Sequence, residues 1–120
     1  MTVRSIIAAT LLTIAPATVA ALFHNHLVKS APAADETVAA APKEIRLWFA
    51  EKVEPKFSSV TLMKPDSTKL EVSKARATDD PKAIVVDVVA AVPAGTYTVI
   101  WRTAGDDGHA VRGRYPFSVK

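Results

Sequence analysis

Histidine is scarce in this chain, three in 120 residues, and the three fall in two short stretches far apart in sequence. His109 ends the tripeptide Asp107-Gly108-His109. His24 and His26 lie about eighty residues upstream in Phe23-His24-Asn25-His26-Leu27. In the first place a carboxylate and a ring are fixed by one turn. In the second, the i, i+2 spacing puts two rings on one side of an extended segment. Imidazole is the commonest metal-ligating side chain, but two ligands from one turn hold an ion weakly. The chemistry therefore depends on folding bringing the two places together. Taken alone, Asp-Gly is an ordinary turn signal, and the two upstream histidines are ordinary exposed residues.

The donor set narrows the choice of metal. There is no cysteine, so no thiolate is available and a blue-copper centre is excluded. Beyond Met1 the only thioether is Met63, which argues against a Met-rich Cu(I) site. Nitrogen and carboxylate donors in a tetragonal arrangement favour Cu(II). Structural zinc takes four protein ligands as a rule, a poorer match. If proteolysis makes His24 the first residue, its α-amine and ring chelate one ion. Binding then releases protons and weakens in acid.

The start of the chain bears on that point. Residues 1–23 carry a single charge, Arg4, then an apolar run from Ile6 to Ala21 broken by Pro16. A basic start, a short apolar core and an Ala-rich exit describe a secretory signal peptide over 1–23, with a domain over 24–120. The run is short of the roughly 18–20 apolar residues that a spanning helix needs. A small residue before the cut favours cleavage after Ala20 or Ala21, which leaves extra residues ahead of His24. A site without the amine would then use the rings of His24, His26 and His109 with Asp107.

The remaining 24–120 segment has to present these groups from a core with no disulfide. Ile45, Leu47 and Phe49 alternate, as do Tyr97, Val99 and Trp101, and Tyr115, Phe117 and Val119. Each triplet marks a half-buried strand. Further strands are expected after His26, over 59–63, over 69–72 and over 83–89, where Ile84, Val86 and Val88 face in and Asp87 faces out. Pro65-Asp66-Ser67, Asp79-Asp80-Pro81 and Val92-Pro93-Ala94-Gly95 supply turns. Residues 33–42 form a loop tethered by Val38. About seven short strands without helical periodicity predict an all-β fold, an antiparallel sandwich of immunoglobulin-like size, with a barrel as the structural alternative.

Little else competes for function. There is no Gly-x-Ser-x-Gly, no phosphate-binding glycine loop and only four glycines. Glu51, Glu54, Asp79 and Asp80 sit beside lysines in polar loops and are expected to be solvated. The net charge of +3, with acids and bases interspersed, lacks the basic tract of a nucleic-acid binder. Trp48 and Trp101 are expected in the core or on a sheet face.

Taken together, these motifs resemble the CopC family of periplasmic copper-binding proteins, in particular its short, YobA-like members. The likeness rests on His24-x-His26-Leu27, Ser30-x-Pro32-Ala33, and Ile45-x-Leu47-x-Phe49 with Glu51. It continues through Pro93-x-Gly95-Thr96-Tyr97-x-Val99-x-Trp101 and Asp107-Gly108-His109-x-x-x-Gly113-x-x-x-Phe117-x-Val119. It implies an immunoglobulin-like, Greek-key β-sandwich in the periplasm that holds Cu(II) without catalysis. It also implies a histidine brace at His24, completed by Asp107 and His109, with His26 as a further ligand candidate. A CopD-like inner-membrane protein is the implied partner. Two other functional classes stay open on sequence alone: a histidine-brace copper monooxygenase and a metal-free periplasmic interaction domain.

Overall fold

The computed structural model describes residues 25–105 and 108–120. Two sheets pack face to face. The first has the order β1 (Leu27–Ala31), β3 (Glu44–Phe49), β7 (Ala83–Asp87), β6 (Arg76–Ala77), all antiparallel. The second has the order β2 (Thr37–Val38), β9 (Ala110–Val119), β8 (Gly95–Ala104), β4 (Ser59–Met63), β5 (Lys69–Leu70). This is the expected all-β sandwich, and among the described residues the only helical turn is a short 3-10 turn at Pro55–Phe57.

Alternation chose the inner faces. Ile45, Leu47 and Phe49 from β3 meet Val60 and Leu62 from β4, Tyr97, Val99 and Trp101 from β8, and Phe117 from β9 in one core. Near the start of β8 the Tyr97 hydroxyl donates to the Pro93 carbonyl, four residues upstream. That is the tyrosine-corner device of immunoglobulin-like sandwiches.

Several expectations are sharpened. The 33–42 loop holds β2, which pairs parallel to β9 through Thr37↔Ser118 and Val38↔Val119, so the tether at Val38 is a ladder. The return arm expected over 69–72 is shorter: β5 ends at Leu70, and Val72 instead bridges to Val88 of the first sheet. In β7, Val85 is buried along with Ile84 and Val86, whereas Asp87 is exposed as expected. Val85 is registered between Arg46 and Arg76, whose long stems can cover its outward side. Trp48 faces outward, half-buried, with the Lys29 ammonium 4.7 Å from its ring centroid.

Tyr115 adds a polar atom to the interior. Its hydroxyl finds no hydrogen-bond partner among the described residues. Burial raises the phenol to about 12, an effect only partly opposed by the Ser30 hydroxyl nearby.

Candidate metal site

The two motif-bearing ends of the chain meet the sandwich on different sheets. The upstream histidines lead into β1. A bulge between Leu27 and Lys29 leaves Val28 61% exposed, and it resets the inward phase of the strand. Leu27 packs on the core and Ser30 is buried, two positions that an unbroken period of two would put on opposite faces. Ahead of the bulge, Asn25 is buried and His26 is exposed.

Asn25 is the fastening that sequence reasoning missed. Its Oδ1 accepts from the Glu51 amide at 2.9 Å, and its Nδ2 donates to the Glu51 carbonyl at 3.3 Å. Beside it the Ala50 amide donates to the His26 carbonyl at 2.9 Å. The carboxamide imitates one more rung of the β1–β3 ladder and ties the segment next to His24 to the end of β3. Glu51, an exposed carboxylate, is brought to that point by the same two bonds. Nothing in the local sequence distinguishes this Asn from an exposed one.

The downstream motif sits at the tip of the β8–β9 hairpin, whose ladder runs from Gly95↔Val119 to Ala104↔Ala110. The Gly108 amide donates to the Gly105 carbonyl at 3.0 Å, and Gly108 has φ +78°, the conformation for which glycine was expected there. His109 is exposed and directly precedes β9. The hairpin is held near its tip in two ways. Thr103, almost wholly buried, shares a hydrogen bond of 2.8 Å with the Ser58 hydroxyl, which also donates to the Glu54 carbonyl at 2.8 Å. Trp101 lies over Gly113, its cross-strand partner. A Cβ there would stand 2.5 Å from the indole Cζ2, so only glycine leaves room for the ring.

Among the described residues a single aromatic ring contact joins the two sheets. Phe49, registered with Leu27, packs edge-on against Trp101 of the opposite sheet, with ring centroids 5.2 Å apart and an interplanar angle of 72°. Leu27 is one residue past His26, and Trp101 is three residues before the end of β8. The entry to β1 and the tip of the β8–β9 hairpin therefore lie at the same end of the sandwich.

Of the four ligand candidates, His26 and His109 are described, while His24 and Asp107 lie outside the described residues. Among the described residues, no group of three or more His, Asp or Glu side chains is placed to hold a metal ion. The carboxylates expected to be solvated are in polar surroundings. Glu54 pairs with Lys52 at 3.4 Å, and Asp80 accepts from the Lys82 amide at 2.9 Å.

Comparison with known proteins agrees with this fold. Residues 27–120 match the model of the CopC domain. The chain is 39% identical to protein YobA of Escherichia coli K12 over 98 residues, covering 81% of this chain and 79% of that one. The crystal structure of CopC from Methylosinus trichosporium OB3b superposes with a TM-score of 0.74 at 34% identity, over 81% of this chain and 94% of the other. That of PcoC, a methionine-rich copper resistance protein from Escherichia coli, gives 0.71 at 39% identity, over 81% and 99%. With a matching domain model over most of its length and relatives of this closeness, the chain belongs to the CopC family.

Proposed function

We propose that this protein binds copper in the periplasm as Cu(II), through His24, Asp107 and His109 with His26 as a further ligand, and that it carries or buffers the ion without catalysis. Residues 1–23 are a signal peptide in this reading, and 24–120 are the copper-binding domain. The observation that carries it is the edge-on contact of Phe49 with Trp101, which draws the entry to β1 and the tip of the β8–β9 hairpin to one end of the fold. In the sequence His24 adjoins Asn25, which is anchored to Glu51. Asp107 adjoins Gly108 in the same way.

The oxidation state follows from the donors. Rings, a carboxylate and an α-amine suit Cu(II), and the solved relative described as methionine-rich contrasts with a chain that has two methionines. An amine–imidazole chelate needs a free terminus at His24. A CopD-like inner-membrane protein is the partner to which such a carrier hands its ion.

Copper titration of the processed protein, read by electron paramagnetic resonance and by quenching of Trp101 fluorescence, tests the assignment. We expect one Cu(II) per chain with nitrogen-rich hyperfine structure, lost in the Asp107→Ala, His109→Ala double variant. Undiminished one-to-one binding by that variant refutes the site. The intact mass of the protein recovered from the periplasm decides between a brace at His24 and the set of three rings.

A further inference from the structure

The five strands of the second sheet contain no Asp or Glu. Their cations are Lys69, Arg102, Arg112 and Arg114, all exposed. Trp101, Thr103 and Tyr115 point into the core, so the arginines between them point outward. The register sets Arg102 directly opposite Arg112, with Arg114 two residues further along β9 opposite Ile100. Like charges directly opposed across an antiparallel pair destabilise it. Among the described residues no carboxylate forms an ion pair with any of these four, since the ion pairs are those of Arg46, Lys52 and Arg76.

The first sheet treats its cations differently. Arg46 lies 3.5 Å from Glu44, Arg76 lies 2.8 Å from Asp87, and Lys29 rests on Trp48. Every cation on the strands of the first sheet is thus engaged, whereas none on the strands of the second pairs with a described carboxylate. A second observation lies at the Arg102 end of that face, where a groove of about 730 Å³ is lined by Arg102, Lys56, Ser59 and Phe57. Phe57 is 52% exposed, and Glu54, the one acid among the described residues that line the groove, is engaged by Lys52.

We propose that the outer face of the five-stranded sheet docks on an anionic phospholipid surface. A phosphodiester offers two oxygens to the guanidinium fork, and a row of arginines meets many such groups on a bilayer. The exposed Phe57 beside the row enters the headgroup region, as aromatic side chains flanked by basic ones do. Anionic lipid also relieves the opposition of Arg102 and Arg112. The attraction is that of a few basic side chains near a charged surface, hence weak, reversible and screened by salt. It holds the tip of the β8–β9 hairpin near the membrane and does not depend on bound metal.

Co-sedimentation with phosphatidylcholine vesicles, with and without phosphatidylglycerol, tests this. Wild-type protein is expected to sediment only with the phosphatidylglycerol vesicles and to be released at high salt. Arg102→Glu, Arg112→Glu or Arg114→Glu each weakens binding by at least roughly fivefold, and the triple variant stays in solution. Arg102→Glu also converts an opposed pair into an ion pair with Arg112, so its unfolding midpoint rises while its binding falls, which a damaged fold cannot produce. Lys29→Glu on the other sheet leaves sedimentation unchanged. The proposal falls if wild-type protein ignores phosphatidylglycerol at low salt, if the triple variant binds as wild type does, or if Lys29→Glu costs as much as Arg102→Glu. It falls too if only a Glu-rich peptide, and no vesicle, engages the arginines, because the occupant is then an acidic protein.

Discussion

Replacing Asn25 by Ala separates the docking of the upstream segment from the stability of the sandwich. The substitution deletes two hydrogen bonds, at 2.9 and 3.3 Å, to the Glu51 backbone. At about 1 kcal/mol net for each bond, up to about 2 kcal/mol of local anchoring is lost. The β1–β3 ladder and the bond from the Ala50 amide to the His26 carbonyl remain, so the loss is expected at the start of β1 and not in the core. Apparent metal affinity scales with the fraction of molecules whose segment is docked. A 2 kcal/mol loss bounds the fall in copper affinity at roughly thirtyfold, and we expect a fall of roughly tenfold. Competition titration against a chelator of known copper affinity gives this number, and denaturant unfolding gives the global stability. Amide exchange at Ala50 and Glu51 should quicken, while exchange in β8 should not. If copper affinity stays within twofold of wild type while exchange at Glu51 does quicken, Asn25 serves the fold alone, and the coupling argued from its hydrogen bonds is wrong.

Two further perturbations act on the scaffold. Gly113→Ala forces a Cβ to within 2.5 Å of the Trp101 ring, which also packs edge-on with Phe49. Overpacking of this kind costs about 1–3 kcal/mol in denaturant unfolding, and a loss under about 0.5 kcal/mol would show that the ring moves freely. The phenol of Tyr115 titrates near 12 when folded and near 10 in an unfolded chain, so the unfolded state loses its proton first. Its ionisation costs the fold nothing well below pH 10, and the cost grows as pH rises toward the folded value, to on the order of 2 kcal/mol. Tyr115→Phe should flatten that alkaline loss, and it should cost little at neutral pH because the hydroxyl has no partner among the described residues. Equal alkaline slopes in the two proteins would overturn this account.

The long strands were legible because each alternates over at least five residues, and β3, β8 and β9 appear with the expected inner faces. Of the two-residue strands, β5 was foreshadowed by the alternation over 69–72, but β2 and β6 were not, since they exist only through their partners' registers. Val85 defeated the pattern for a related reason, because the cover over its outward side is distant in sequence. The candidate ligands showed themselves as residue types and local spacing. The approach of the entry to β1 and the tip of the β8–β9 hairpin was hidden, for it depends on a bulge at Val28, a carboxamide posing as a strand rung, and the contact between the rings of Phe49 and Trp101. None of the three leaves a local mark.

That contact also determines what a bound ion would do to the protein. Under the proposed assignment, His24 and His26 precede in sequence the edge strand of one sheet, while Asp107 and His109 fall in sequence between the two paired strands β8 and β9 of the other. An ion held by both sets bridges the two sheets at the end where Phe49 meets Trp101. Ligands that bind only the folded state stabilise it in proportion to the logarithm of their concentration over Kd, so the stability gained and the affinity lost are one quantity seen from two sides. Substitutions that loosen the sheet-to-sheet contact should therefore weaken copper binding without touching a ligand. Substitutions far from it, such as those around β5 and the Pro65-Asp66 turn, should change stability and leave affinity alone. The proposed copper site is, on this reading, a property of the packing at one end of the sandwich as much as of the side chains that would face the ion.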